Sequence, residues 1–141
     1  MDNVDVVRNL EAAYNARDYD AVRQILAADV ACHTPGSEML PAGIEGCIAS
    51  NEGAFTSFPD RRTEVLDAFG DGDRVVTHVR MTGTNTGGIE WAGIPANDKA
   101  IDMDWIQISR LQDGKIVETW AQMDIPKMMV QLGAMPAPEG M

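Results

Sequence analysis

One segment constrains the fold more than any other: "KAIDMDWIQISRLQDGKIVETWAQM", residues 99–123. Two long runs of strand-forming residues flank a single Asp113–Gly114 dipeptide, a sequence that favours a two-residue type I′ hairpin turn. Such a turn pairs Gln112 with Lys115 and sets the register of everything behind it. Ser109 then faces Glu118, Gln107 faces Trp120, Trp105 faces Gln122 and Met103 faces Asp124. Directly opposed residues share a side of the sheet. One face is then Met103, Trp105, Gln107, Ser109, Glu118, Trp120, Gln122 and Asp124. The other is Ile106, Ile108, Val117, Thr119, Ala121 and Met123, with Asp104 and Arg110 towards its ends. The first face mixes tryptophans with amides and carboxylates, as the wall of a small-molecule pocket does. The second is aliphatic and suits a core or a subunit interface. A slip of one residue would exchange the two faces.

The rest of the chain divides into helices followed by strands. Val6, Val7, Leu10, Ala13 and Tyr14 fall on one stripe of a helix over residues 3–16, capped by Asn3 or Asp2. A second short helix, "YDAVRQILA", turns Val22, Ile25 and Leu26 inward. "DVACHT" reads as a short strand stopped by Pro35–Gly36. "EGCIASNEGAFTSF" has helical spacing at Ile48, Phe55 and Phe58, and Pro59 closes it. "RRTEVLDAFG" and "DRVVTHVRMTG" form a hairpin around Gly70–Asp71–Gly72. Helices first and an antiparallel sheet afterwards make an α+β domain.

Bulk properties narrow the function. The 141 residues, 45% hydrophobic and 23% charged, amount to one domain with a core and room for a pocket. The net charge of −11 argues against nucleic acid and anionic membranes, both of which reward clustered Lys and Arg, and mildly favours a neutral ligand. Apolar runs fall short of the ~20 residues a membrane span needs. The acidic start "MDNVDVVRNL" matches neither a signal nor a transit peptide. A cytoplasmic protein is the default expectation. Cys32 and Cys47 make no CxxC motif or disulfide framework. Two histidines with no metal-ligand spacing make a metal site unexpected.

"DIPKMMVQLG", residues 124–133, places Asp124 where the last strand meets a Met-rich helix. Asp followed by Pro in the first turn is ordinary N-capping chemistry. A carboxylate at a strand end, buried among Met103, Met123, Met128 and Trp105, would instead be a general acid/base with a raised pKa. The residues alone leave both readings open.

Further pieces carry a resemblance. "DVACHTPG", "SFPD", "GDRVV", "TGTNTGGIEWAGIPANDKAI", "LQDGKIVETW" and "MDIPKMMVQLG" follow in order over about residues 5–133. Together they resemble the SnoaL-like polyketide cyclases, within the superfamily of nuclear transport factor 2 and ketosteroid isomerase. The resemblance implies a single domain over residues 1–141. Its fold would be a cone-shaped α+β barrel whose strongly curved antiparallel sheet wraps around the N-terminal helices and encloses one pocket. It implies a homodimer, or a higher homo-oligomer, through the outer sheet face. It also implies intramolecular aldol closure of a hydrophobic polyketide-like substrate, without metal or organic cofactor, with Asp124 as acid/base. His33, Trp105 and Gln107 are candidate donors to carbonyl oxygens. Trp120, Tyr14, Asn51 and Met103 are candidate pocket walls. Tyr14 equally suits core packing, His33 a structural role and Asn51 an exposed position. Glu118 reads as a structural partner, and His78, opposite in parity to Val75, Val79 and Met81, as outward-facing.

The sequence departs from the family pattern at Asn85, where His is usual, and at Ala96–Asn97–Asp98, where Pro-Thr-Gly is common. Both changes fall in one loop and bear on substrate more than fold. Relatives of this shape include epoxide hydrolases, hydratases, isomerases and non-catalytic binding modules. Water activation would need a second acid such as Asp104, which the register places on the opposite face.

Overall fold

The structure is a computed structural model that describes residues 2–139. Helices α1 (Asn3–Ala16) and α2 (Tyr19–Ile25) open the chain. Asp2 caps α1 by accepting the Asp5 N–H, and Asp18 caps α2 by accepting the Ala21 N–H. Val6, Val7, Leu10 and Ala13 form the buried stripe that their spacing predicts. Strand β1 (Leu26–His33) begins earlier than its sequence suggests, because Leu26 already has extended backbone. Helix α3 (Ile44–Ser57) is followed by β2 (Arg62–Asp71), β3 (Arg74–Thr84), β4 (Ala100–Gln112), β5 (Lys115–Met123) and α4 (Ile125–Gln131). No helix among the described residues is long and apolar enough to cross a membrane.

The strands form one five-stranded sheet in the order β1-β5-β4-β3-β2. β2 through β5 are antiparallel, as the hairpins predict, but β1 lies parallel to β5, so the sheet is mixed rather than wholly antiparallel. The curved sheet does not close into a complete barrel. The helices cover one face of it. Near one end of the cone, Leu10, Ala13 and Val22 of α1 and α2 pack with Val75, Leu111 and Ile116. Near the other, Phe58, Val79, Met81, Met103, Trp105, Ala121 and Met128 form a second apolar cluster.

The β4–β5 hairpin holds the main departure from the uninterrupted register. Asp113 and Gly114 both have positive φ, at 52° and 77°, as a type I′ turn requires, and Gln112 does pair with Lys115. Leu111 then pairs with Ile116, but Arg110 pairs with Glu118. Val117 is the extra residue of a β-bulge. Beyond it the register is displaced by one: Ser109 faces Thr119, Gln107 faces Ala121 and Trp105 faces Met123. The inner face therefore carries Met103, Trp105, Gln107 and Ser109 with Thr119, Ala121 and Met123. Glu118, Trp120 and Gln122 go outside with Arg110, Ile108 and Ile106. The physical reason is the carboxylate. In a straight register Glu118 would enter the helix-covered interior at a large desolvation cost. In the bulged one it meets Arg110 at 3.1 Å and His33 at 2.8 Å on the outer face.

The loop between β3 and β4 is anchored at both sides. Gly87 donates its N–H to Ser57 O at 3.1 Å, and a Cβ there would lie 1.7 Å from Thr56 O. Only glycine lets the loop approach the end of α3 so closely. Asn85, wholly buried, accepts the Gly88 N–H and donates to Pro95 O.

Candidate active site

The two apolar clusters are separated on the inner face by a polar band. Along β3 the inward sequence is Val75, Thr77, Val79; along β4 it is Leu111, Ser109, Gln107, Trp105; along β5 it is Ile116, Thr119, Ala121. Thr77, Ser109 and Thr119 are buried. Gln107 Nε2 donates to Ser109 Oγ at 3.4 Å, and the Thr119 hydroxyl meets the sulfur of Cys32, its ladder partner on β1. The band continues to Cys47 of α3, whose sulfur lies 2.9 Å from that of Cys32, and to the hydroxyl of Tyr14 on α1. Burial is the main reason the Tyr14 phenol is held well above its ordinary pKa.

Trp105 ends the band on the apolar side. The residue is 7% exposed, and its buried Nε1–H has no hydrogen-bond partner among the described residues. An orphaned buried donor costs free energy in the empty protein, and its natural complement is an acceptor on a bound molecule. Met103 lies on the same face, paired with Met81. Trp105, Gln107 and Met103 are thus brought together as expected.

Other predicted site residues are placed differently. Asn51 is buried rather than exposed. Its amide donates to Tyr14 O and to the Tyr19 hydroxyl, each at 3.1 Å, and its oxygen accepts from Arg61 at 3.0 Å. It ties α1, α2 and α3 together beneath the band. Trp120 and His33 are on the outer face, a correction that follows from the Val117 bulge and from the pairing of His33 with Trp120. Their rings stack at 5.5 Å, and Arg74 lies over the Trp120 ring at 5.2 Å. Asp104 and His78 are also outside, bonded to each other.

Asp124 follows Met123, the ladder partner of Trp105. Its side chain is exposed and caps α4, accepting the Lys127 N–H through Oδ1 at 3.0 Å. It is not buried among Met103, Met123, Met128 and Trp105 as a desolvated acid/base would be. The displaced register takes it out of line with Met103.

A buried charged group escapes the sequence reading. Glu11 of α1 is 7% exposed and accepts from the Thr63 hydroxyl at 3.2 Å, with Arg61 close enough to act on its charge. Burial raises the Glu11 carboxyl and lowers the Arg61 guanidinium from their ordinary pKa values. Its position on the helical stripe of Val7, Leu10 and Tyr14 was the available signal. Arg61 also lines a surface cleft of about 440 Å³ with Asn15, Pro59, Asp60 and Arg62, separate from the polar band.

The architecture and motif order converge with known proteins. The sequence profile of the SnoaL-like polyketide cyclases matches residues 4–132. The chain belongs to the SnoaL-like polyketide cyclase family. Among solved structures, IdmH from Streptomyces antibioticus, itself provisionally assigned as a polyketide cyclase, is 31% identical; the match covers 94% of this chain and 99% of IdmH with a TM-score of 0.81. TsrD from Streptomyces laurentii is 27% identical over 93% of this chain and 94% of its own, with a TM-score of 0.82. AclR from Streptomyces galilaeus, provisionally assigned as a hydroxylase, is 24% identical over 97% and 89% with a TM-score of 0.81, a likeness of fold alone. No curated protein matches the sequence. The SnoaL-like assignment carries the cone fold and supports a cyclase- or isomerase-type function.

Proposed function

We propose that this SnoaL-like protein catalyses cofactor-independent intramolecular aldol closure of a hydrophobic, polyketide-like molecule. The unpartnered Trp105 Nε1–H is the observation that carries the reading. It is a buried donor beside Gln107 and against the apolar wall of Met103 and Met81, suited to a carbonyl oxygen on an apolar ligand. Aldol closure needs a proton removed from carbon between two carbonyls, attack of that carbon on another carbonyl, and reprotonation of the alkoxide. The product is an isomer of the substrate. Asp124 exchanges the proton through Oδ2 while Oδ1 keeps the helix cap. Trp105 and Gln107 hold the carbonyl oxygens as charge develops on them. Water activation by two carboxylates finds less support, because Asp104 is engaged by His78 on the outer face. The exposed Ile106 and Phe69 suit the pairing of a second copy of the chain on the sheet.

A second reading, a non-catalytic binding module, draws on the exposed, capping position of Asp124. The test is to incubate wild type, Asp124→Asn and Asp124→Ala with hydrophobic aromatic compounds carrying a β-diketone side chain. Products of unchanged mass are followed by chromatography and absorbance. Closure by wild type with a loss of ~10²–10⁴-fold in both variants supports acid/base catalysis. Binding without an isomeric product supports the binding module. Equal turnover by Asp124→Asn removes Asp124 from the chemistry.

A further inference from the structure

Cys32 and Cys47 lie 15 residues apart in sequence, on β1 and α3, and packing brings their sulfur atoms to 2.9 Å. Both are free thiols and half-buried. The separation is within about 1 Å of a disulfide bond, which is ~2.04 Å long. Thr119 and Tyr14 flank the pair on either side. The proposed reaction gives neither sulfur a role.

We propose that Cys32 and Cys47 are a reversible modification site, oxidised by hydrogen peroxide to an intramolecular disulfide that ties α3 to β1 beside the polar band. The disulfide would constrain the helix that carries Asn51 against the strand that borders Thr119.

Cys32 is the attacking sulfur. The hydrogen bond it shares with Cys47 outweighs burial and holds its thiol down at about 6, while the same contact pushes Cys47 up. A thiolate at neutral pH is the form that reacts with peroxide. Its sulfur attacks one peroxide oxygen, the O–O bond breaks, and the hydroxide released takes a proton to become water. Cys32 is then a sulfenic acid. The Cys47 sulfur attacks the Cys32 sulfur, the S–O bond breaks and the S–S bond forms. The departing hydroxide leaves as water with the Cys47 proton. Two thiols lose two electrons, and one peroxide becomes two waters.

The experiment titrates the wild-type protein with hydrogen peroxide at neutral pH, alkylates what remains free, and reads intact mass and non-reducing peptide maps. The expected result is a monomer lighter by about 2 Da, the two hydrogens lost on disulfide formation. It has no alkylatable thiol and a single linked peptide pair containing Cys32 and Cys47, and dithiothreitol reverses it. The oxidised form melts higher by roughly 5–15 °C, because the bridge closes a loop in the unfolded chain. Cys47→Ser stops at the sulfenic acid, which dimedone captures at position 32. Cys32→Ser reacts at least ~10-fold more slowly with peroxide. Two retained thiols in excess peroxide, oxidation to sulfinic acid without a bridge, or a bridge between chains would each overturn the proposal. Because these readouts use the wild-type chain, a variant that fails to fold does not leave the question undecided.

Discussion

Asn85 and Asn97 brace one another across the loop between β3 and β4: Asn85 Nδ2 donates to Asn97 Oδ1 at 3.1 Å. These are two of the positions at which the sequence departs from the family's usual loop, and each has the other as a partner. Asn97 in turn donates to Leu132 O at 2.9 Å, carrying the brace to the end of α4. The departures therefore shape a self-contained loop anchor beside the helix that Asp124 caps. Asn85→Ala strands the Gly88 N–H and Pro95 O in a buried site and should cost ~1–3 kcal/mol in urea unfolding. Asn97→Ala removes part of the same network, so the double variant should lose less than the sum of the singles, by ~0.5–3 kcal/mol. Additive losses would mean that the two side chains act separately.

Trp105→Phe separates ligand binding from stability. The indole N–H has no partner among the described residues, so its removal leaves none of their groups newly unsatisfied. The smaller ring should cost at most ~3 kcal/mol in unfolding free energy. Affinity for a β-diketone ligand, read by titration calorimetry, should fall about 10-fold for one lost hydrogen bond. Unchanged affinity would place the ligand's oxygens elsewhere.

Val117 offers a test of the bulge. Deleting it removes the extra residue, so that Glu118 follows Ile116 directly and still pairs with Arg110, with Trp120 still on the outer face. The loss should stay within ~3 kcal/mol, the range of an ordinary single change, and the protein should remain folded. Val117→Ala keeps the residue count of the strand and should cost at most ~2 kcal/mol. An unfolded or insoluble deletion variant would show that the sheet needs the bulge itself and not only the pairing of Arg110 with Glu118.

Glu11 should leave a signature in the pH dependence of stability. Burial holds its folded-state pKa above the unfolded value. Between those two values the native state keeps a proton that the unfolded chain has released, so this contribution to stability falls as pH rises through the window. Glu11→Gln should flatten that segment when its unfolding free energy is compared with wild type from pH 4 upwards, with both curves measured by urea titration (~0.1 M salt to limit surface screening differences). Glu118, held low first by its hydrogen bond with His33, works in the opposite sense. Its contribution is present above the unfolded pKa and lost as pH falls through the folded one, so Glu118→Gln should reduce the loss of stability in acid. Parallel wild-type and variant curves at either position would refute the corresponding assignment.

Local patterns in the chain were sufficient for the α1 stripe, the type I′ turn at Asp113–Gly114, the outward parity of His78 and the order of motifs that marks the family. Each depends on backbone geometry or periodicity within a few residues, or on spacing preserved along the chain. Asp124 as a helix cap was legible for the same reason, since Asp, Pro and a helical run are adjacent. The Val117 bulge was not. Its signal was energetic, because a regular ladder would bury Glu118, and that cost exists only once helices cover one face of the sheet. The places of Trp120 and His33 follow from it. The parallel seating of β1 on β5, the burial of Glu11 against Thr63 and the meeting of Cys32 with Cys47 likewise arise from packing between elements distant in sequence. Local propensity sets which way a segment repeats; the burial of charge and the close fit of helices against the sheet decide which side of each strand faces in.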